Sequence, residues 1–245
     1  MSKAVFKLRK LSVALALAFA CSGLASSSVA SVPAAIAATD LPECRYDDVM
    51  TLYTARRDWQ KTLVDPIYMV SPSYTPPGRL VSTKKAGLNK GQFARPFVIP
   101  DLAELAAAAR SNGTPLRVTS GFRDFEEQQR LYDREVRNFG LEMGRLRVAR
   151  PGHSEHHLGT TFDFGSTIDR TPVWKFEDWA TTPTGAFLKE NSWRFGFVMS
   201  YPKERQEATC YQYEPWHFRY VGREMAAAVV GSGLTMREYL WQNFH

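Results

Sequence analysis

The chain has 245 residues, a formal net charge of +6 and 44% hydrophobic residues. Its first ten residues contain four basic side chains, and no acidic side chain precedes Asp40. Without this segment the charge is close to neutral, which argues against a nucleic-acid-binding domain, because such a domain needs a clustered basic face. The rest has no internal repeat or long low-complexity linker, and its length predicts one domain with a substantial core.

Residues 1–38 have the pattern of an export signal. A basic start is followed by an apolar run at 11–20 and by an Ala/Ser-rich stretch that ends at Ala37, which is the order of parts in a secretory signal peptide. The apolar run is too short to span a bilayer comfortably, so a membrane anchor is the weaker interpretation. We predict a signal peptide at 1–38, with cleavage after Ala37 or Ala30, and a single domain at 39–245 in the periplasm or cell-wall space.

The first half of this domain is predicted to combine helices with extended segments. Apolar residues at mixed spacings of three and four predict a helix within 47–63, and four prolines among tyrosines predict an ordered, extended cover segment at 65–81. Helices are predicted at 102–111 and 124–139, and the alternating segment 116–120 between them predicts a strand.

The second half is predicted to supply the remaining strands. Residues 160–164 are β-branched and aromatic, which predicts a strand, and further strands are predicted to begin near 197 and within 211–221. Two short helices, at 224–230 and 235–243, follow. The pattern predicts an α+β domain, in which an antiparallel sheet has helices packed on one side.

Only Cys44 and Cys210 remain once the signal is removed. In an oxidising compartment two cysteines are paired more often than free, so we predict a disulfide, with two unpaired core residues as the alternative. Closing so long a loop stabilises a fold by about 4–5 kcal/mol in the chain-entropy model.

The stretch 151–163, PGHSEHHLGTTFD, combines three histidines with a closing aspartate. His156 and Asp163 are the pair that we favour as metal ligands, although spacing alone does not choose among His153, His156 and His157. Successive residues of an extended chain point to opposite sides, so all three imidazoles cannot bind one ion.

A third ligand is predicted within 213–220, YEPWHFRY, where His217 follows Glu214 by three positions. Two imidazoles and one carboxylate match a catalytic zinc site, which binds three protein ligands and keeps one position for water.

Arg123 and Gln128 lie where a predicted strand meets a predicted helix, a common place for polar groups of a site. The planar guanidinium of Arg123 suits a carboxylate or a developing oxyanion. Spacing alone slightly favours a different interpretation, a surface ion pair for Arg123 and a solvated Gln128.

Taken together, these stretches resemble the VanY-type D-alanyl-D-alanine carboxypeptidases, whose superfamily includes lysostaphin-type peptidases and the hedgehog domain. The resemblance covers most of residues 65–245 and rests on SGFR at 120–123 followed by Gln128, GHSEHHLGTTFD at 152–163, FGFVMSYP at 195–202 and EPWHFRYVG at 214–222. The family often has Tyr, Ser, Ala and Gly where this chain has Phe122, Asp124, Thr161 and Cys210. These departures affect the expected substrate preference more than the expected activity.

The resemblance implies a role for each motif residue. The family pattern Ser-x-His-x-x-Gly-x-x-x-Asp falls on Ser154, His156, Gly159 and Asp163. It implies one zinc ion per chain, bound by His156, Asp163 and His217, with Glu214 as general base. It also implies that Ser154 and Gln128 bind the terminal D-alanine; Arg123 is expected to contact the substrate and stabilise the oxyanion. His153 and His157 are candidates for orienting the ligand histidines.

We therefore expect an exported zinc metallopeptidase that removes the terminal D-Ala from peptidoglycan stem pentapeptides. It is expected to be a monomer, with no nucleic-acid partner and no membrane span after signal cleavage. One alternative is an endopeptidase that cleaves the L-Ala–D-Glu bond of the stem; a D,D-dipeptidase suits an exported chain less well. The other alternative is a non-catalytic, zinc-stabilised wall-binding module, against which the presence of Glu214 argues.

Overall fold

The computed structural model describes residues 40–245, so the predicted signal peptide lies outside the described residues. The helices are α1 Ile99–Ser111, α2 Phe125–Phe139, α3 Leu141–Arg147, α4 Pro183–Asn191, α5 Gln206–Thr209, α6 Arg223–Ser232 and α7 Met236–Phe244. The strands are β1 Val49–Met50, β2 Tyr68–Met69, β3 Val81–Ser82, β4 Phe93–Ala94, β5 Leu116–Ser120, β6 Thr161–Ser166, β7 Phe197–Met199 and β8 His217–Tyr220. Within this range no helix has the length and apolarity needed to cross a membrane.

The main sheet has the order β5-β6-β8-β7, and all of its neighbouring strands are antiparallel. Successive side chains of a strand point to opposite faces, so Asp163 of β6 faces away from Phe162. The register pairs Asp163 with His217 and Phe162 with Phe218. The sheet therefore has an aromatic face and a face that carries two of the predicted metal ligands.

The larger core lies on the aromatic face of the sheet. Its fully buried members include Phe162, Phe164, Phe197 and Phe218 of the strands together with Leu102 and Leu105 of α1 and Leu188 of α4. Burial of each such side chain stabilises the fold by about 1.5–3 kcal/mol. A second cluster joins Val198 of β7 to α6 and α7. This arrangement confirms the predicted α+β class and holds the metal-ligand face rigidly on a packed sheet.

Two predicted elements differ from the structure. No helix forms within 47–63, because the N–H groups of Val49 and Thr51 donate to Ile67 and Met69 instead, each at 2.9 Å. The strand predicted at 211–221 is limited to β8, since the chain before it makes a turn containing Pro215. The short helix α3, which the sequence analysis did not predict, packs against α2.

The structure confirms the predicted disulfide. Cys44 and Cys210 are bridged, with 5.4 Å between their Cα atoms and a sequence separation of 166. We expect the double variant Cys44→Ser/Cys210→Ser to lose about 4 kcal/mol of unfolding free energy, because its unfolded chain regains the entropy of the open loop. Urea denaturation of the oxidised wild type, the reduced wild type and the variant checks this; a loss below about 1 kcal/mol would contradict it.

Candidate active site

Three candidate ligands converge above the polar face of the sheet. The Nε2 atom of His156 lies 3.3 Å from Oδ2 of Asp163, and Nδ1 of His217 lies 3.2 Å from Oδ1 of the same carboxylate. One donor atom from each of the three residues can be chosen so that all lie within 4.8 Å of one another. The structure thus brings together the three residues that the sequence predicts as a metal site.

The local fold of the 151–163 motif sets the direction of His156. Its backbone forms a tight turn at Glu155–Leu158, where the Ser154 side chain accepts a hydrogen bond from the N–H of His156. Gly159 ends the turn with a φ of 68°, which glycine adopts at little cost. The Nδ1 atom of His156 donates to the carbonyl oxygen of Gly121 at 2.7 Å, so Nε2 points into the site.

Two buried atoms of this cluster have no hydrogen-bond partner among the described residues: Nε2 of His156 and Oδ1 of Asp163. Buried polar atoms are normally paired, and an unpaired one often indicates an ion or water. Two imidazole nitrogens and a carboxylate oxygen are ligands that zinc prefers. The residues therefore fit a divalent metal of this class.

The charges in the cluster also favour a cation. Burial opposes ionisation of Asp163, but His156 and His217 outweigh it and hold the pKa of the carboxyl well below its usual range. Burial disfavours the charged form of His217 and so lowers its pKa, but the adjacent carboxylates of Asp163 and Glu155 outweigh burial and raise the pKa to about 10. A metal bound at Nδ1 would take the place of a proton there, so metal binding is coupled to proton release.

Glu214 is positioned beside the candidate metal ligands. The turn from 214 to 217, closed by a hydrogen bond from the N–H of His217 to the carbonyl oxygen of Glu214, places Oε2 of Glu214 3.5 Å from Nδ1 of His217. Burial raises the pKa of Glu214 to about 7, despite the opposing charges of His217 and Arg123. A carboxylate with this pKa can accept and return a proton near neutral pH.

Arg123 and Gln128 both lie in the site and not on the open surface. The Nη1 group of Arg123 donates to Oε1 of Gln128 at 2.8 Å, and Nη2 lies 3.6 Å from Oδ2 of Asp163. Gln128 is 0% exposed and donates through Nε2 to the carbonyl oxygen of Ala149 at 2.7 Å. Its amide therefore orients the guanidinium of Arg123, whereas direct contact between Gln128 and a substrate stays a prediction.

The other two histidines of the motif use both ring nitrogens elsewhere. Nδ1 of His157 donates to the carbonyl oxygen of Arg123 at 2.8 Å, and its Nε2 accepts from the N–H of Gly152 at 2.9 Å. His153 bonds the carbonyl oxygen of Asp65 and the carboxylate of Asp48. Neither ring is free to orient His156 or His217, so the expectation that they do so is wrong; His157 instead fixes the backbone of Arg123.

The residue that orients His217 is Glu155, which the sequence analysis missed. Nε2 of His217 donates to Oε2 of Glu155 at 2.9 Å, and this oxygen also accepts from Oγ of Ser200 at 2.6 Å. Arg219 donates to the other oxygen at 3.1 Å. Burial alone would raise the pKa of Glu155, but His217 and Arg219 lower it to about 2. The sequence signal for such a carboxylate is Arg219. It lies two positions after His217, on the same face of β8, and therefore needs an acidic partner near that ligand.

These residues lie in a cleft with a volume of about 970 Å³. Its lining comes from α2, from the end of α3 and the chain that follows it, from Val173 and Trp174, and from 211–214. Arg123, Ser154 and Glu214 all line it together with the three candidate ligands. The cleft therefore brings every residue of the predicted site to one continuous surface.

Comparison with known proteins identifies the family. Residues 92–223 match the family described as VanY, D-alanyl-D-alanine carboxypeptidase. The chain belongs to the VanY family. A D-alanyl-D-alanine carboxypeptidase of Enterococcus faecalis is 35% identical over 162 residues, which is 62% of this chain and 58% of that protein. The chain spans 35% to 65% of the length of the curated relatives that it matches.

Solved structures of VanY proteins have the same fold. A VanY variant from a VanB-type resistance cassette, in complex with Zn(II), is 32% identical with a TM-score of 0.63, covering 74% of this chain and 99% of that one. VanYB in complex with D-Ala-D-Ala is 31% identical with a TM-score of 0.64, covering 76% and 99%. The L,D-carboxypeptidase DacB of Streptococcus pneumoniae is 30% identical with a TM-score of 0.57, covering 73% and 85%.

The buried position of Glu155 in this VanY-family chain leads to a test by metal affinity. Glu155→Gln keeps the shape of the side chain but removes the charge that stabilises the Nε2–H of His217. We expect zinc to bind about 10- to 100-fold more weakly, the usual cost of changing a residue that orients a metal ligand. Competition with a chromogenic chelator measures this, and Ser200→Ala, which removes only one neutral hydrogen bond, should lose less. Unchanged affinity in Glu155→Gln would refute the role.

The buried, neutral state of His157 predicts a pH dependence of stability. Burial lowers the pKa of His157 from 6.5 to about 4, so the unfolded chain binds the proton more tightly than the folded one. Its contribution is fully present above pH 6.5 and is lost as the pH falls towards 4, by at most about 3 kcal/mol. Urea denaturation between these limits should show a shallower loss in His157→Gln than in wild type; parallel curves would contradict this.

Proposed function

We propose that this chain is a zinc-dependent D-alanyl-D-alanine carboxypeptidase that removes the terminal D-Ala from peptidoglycan stem pentapeptides. The observation that carries the proposal is the convergence of three metal-binding side chains and one buried carboxylate, Glu214, in a single cleft. The VanY relatives named for complexes with Zn(II) and with D-Ala-D-Ala support the choice of metal and of substrate.

In this proposal His156, Asp163 and His217 hold one zinc ion per chain. When bound, the ion supplies Lewis acidity and lowers the pKa of a coordinated water to about 7. Glu214 accepts at Oε2 a proton from the water molecule whose oxygen attacks the scissile carbonyl. It then delivers this proton to the amine nitrogen of the departing D-Ala, the exchange for which a pKa near 7 is suited.

The other cleft residues bind and orient the peptide. Arg123, held by Gln128 and by its backbone bond to His157, presents a guanidinium that stabilises the negative charge developing on the carbonyl oxygen. Ser154 and Gln128 are proposed to contact the terminal D-Ala. Both are almost completely buried, so they shape the floor of the cleft.

The proposed place of action is outside the cytoplasmic membrane, where stem peptides of the wall lie. We propose that residues 1–38 direct export and that 39–245 act there as a monomeric domain. The relatives named as D-alanyl-D-alanine carboxypeptidases support an extracytoplasmic role, because stem peptides that end in D-Ala-D-Ala lie outside this membrane.

A second candidate function is removal of D-Ala from a stem tetrapeptide, an L,D-carboxypeptidase activity. The likeness to DacB, with an identity close to that of the VanY structures, favours it. The two activities differ in the residue before the scissile bond, which is D-Ala in the pentapeptide and an L-diamino acid in the tetrapeptide.

Product analysis tests these functions together. The purified protein is incubated with a pentapeptide and a tetrapeptide stem, with and without a chelator, and the products are identified by mass spectrometry. Loss of one alanine from the pentapeptide, abolished by chelation and restored by zinc, supports the main proposal. Loss of alanine from the tetrapeptide alone supports the L,D activity, and cleavage within the stem supports the endopeptidase. No cleavage by folded, zinc-loaded protein would favour the wall-binding module.

A further inference from the structure

The cleft continues along α2 well beyond the candidate metal ligands. Past Gln128, its wall includes Arg130, Leu131, Arg134 and Glu135, and α3 adds Arg147. The leaving D-Ala is only one residue long, so this outer part of the cleft is available to the part of the peptide that precedes the scissile bond.

The outer cleft carries a surplus of positive charge. Past Gln128 it is lined by three arginines, Arg130, Arg134 and Arg147, and by one glutamate, Glu135. Arg130 is paired with Glu126 at 3.7 Å, and Arg147 lies near enough to Glu214 for its charge to offset part of the rise that burial gives the pKa of that carboxyl. Arg134 and Arg147 share a single carboxylate, that of Glu135, with Nε–Oε distances of 3.7 and 3.3 Å. One negative charge cannot neutralise two guanidinium groups, so an anion is attracted to this point.

The guanidinium groups of Arg134 and Arg147 keep hydrogen-bond donors available for a ligand. Both direct Nε at Glu135, and no described residue accepts a hydrogen bond from their Nη groups. The Arg147 guanidinium also packs over the ring of Phe139, 4.3 Å from its centroid, which limits its motion. Paired Nη donors in a fixed plane match the two oxygens of a carboxylate.

Distance indicates which part of a peptide would reach this pair. Arg134 follows Gln128 by six residues on α2, about 9 Å along the helix axis at 1.5 Å per residue. An extended peptide covers this distance in about three residues. A carboxylate bound there would belong to the second or third stem residue, too far from the scissile bond to be the carboxylate of the leaving D-Ala.

We propose that Arg134 and Arg147 form a subsite for a free carboxylate on the second or third residue of the stem peptide. This inference rests on the proposed function and specifies its substrate: a stem whose D-Glu α-carboxylate, or whose diamino acid carboxylate at position three, is not amidated. The subsite acts on binding, so amidation raises KM and leaves kcat nearly unchanged.

Three matched pentapeptides ending in D-Ala-D-Ala test the subsite. One has free carboxylates at residues two and three, one is amidated only at residue two, and one only at residue three. We expect one amidated peptide to show a KM about three- to tenfold higher, as for a partly exposed charged pair, and its identity tells which carboxylate binds. The difference should shrink at about 1 M salt, where the Debye length is about 3 Å.

Variants connect the effect to the two arginines. The double variant Arg134→Met/Arg147→Met should treat the three stems alike, whereas Arg137→Met, on α2 but outside the cleft lining, should discriminate like wild type. Each enzyme is compared with itself on different stems, so a general loss of activity cancels. Equal KM values in wild type, or discrimination that persists in the double variant, would overturn the subsite.

The subsite and the proposed activity can fail separately. Cleavage of all three stems with equal efficiency refutes the subsite but not the carboxypeptidase. If no stem is cleaved, the proposed function fails, and calorimetric titration of the same peptides onto zinc-loaded Glu214→Gln protein still tests the subsite. Tighter binding of the unamidated stem would then support it, and equal binding would refute it.

Discussion

Glu214→Gln is expected to reduce turnover of a D-Ala-D-Ala stem by about 10²- to 10⁴-fold while leaving the metal bound, because the amide cannot accept the proton that the reaction releases. Glutamine has nearly the same shape as glutamate, and the turn that holds the side chain depends on backbone hydrogen bonds to His217 and Tyr201. The three candidate ligands are untouched. Steady-state kinetics and metal analysis of the same preparation check both parts of the expectation.

A matched control is Glu190→Gln, an exposed carboxylate on α4 that makes the same chemical change away from the cleft. It should retain wild-type turnover and metal content. Activity within about threefold of wild type in Glu214→Gln would rule out Glu214 as the general base. Loss of metal from that variant would instead make Glu214 part of the metal site.

Much of the sheet could be predicted from the sequence, because 116–120 alternates with a two-residue period and 160–164 is rich in β-branched and aromatic residues. The segment Phe162-Asp163-Phe164 alternates aromatic and acidic side chains, and the structure places them on opposite faces of β6. The helix predicted at 47–63 does not form. Its apolar spacing fits a helix, but spacing does not determine where the backbone N–H groups of this segment find acceptors. Arg219 of β8 instead donates to the carbonyl oxygens of Trp59, Gln60 and Thr62 in this segment. No local sequence pattern reveals these long-range contacts.

The candidate site also contains residues that the sequence predicted and one, Glu155, that it did not. Donor type pointed to a metal site in this stretch, and the resemblance to the VanY family selected His156, Asp163 and His217, which the structure brings together. Glu155 was not predicted, because its role depends on where Ser200 and Arg219 lie in the fold, 45 and 64 residues away. A carboxylate between Ser154 and His156 looks like a solvated spacer in sequence, and only the register of β8 places it behind His217.

His217→Ala is expected to lower zinc affinity by more than the roughly 100-fold that follows from changing a residue that only orients a ligand. Two donors, from His156 and Asp163, are too few for the three-ligand zinc site. The fold should survive, since Glu155 keeps its hydrogen bonds from Ser200 and Arg219. Chelator competition, circular dichroism and the stem assay measure affinity, folding and turnover, with His245→Ala as the histidine control.

The pair of variants separates two chemical roles at neighbouring positions. Removal of a metal ligand and removal of a general base both abolish turnover, but only removal of the ligand also causes loss of the metal. Retention of stoichiometric zinc by folded His217→Ala would remove His217 from the ligand set. Full turnover without bound zinc would refute the metallopeptidase itself. Loss of zinc and turnover in His217→Ala, together with retained zinc and lost turnover in Glu214→Gln, is the combination that a non-catalytic zinc module cannot produce, because such a module has no turnover to lose.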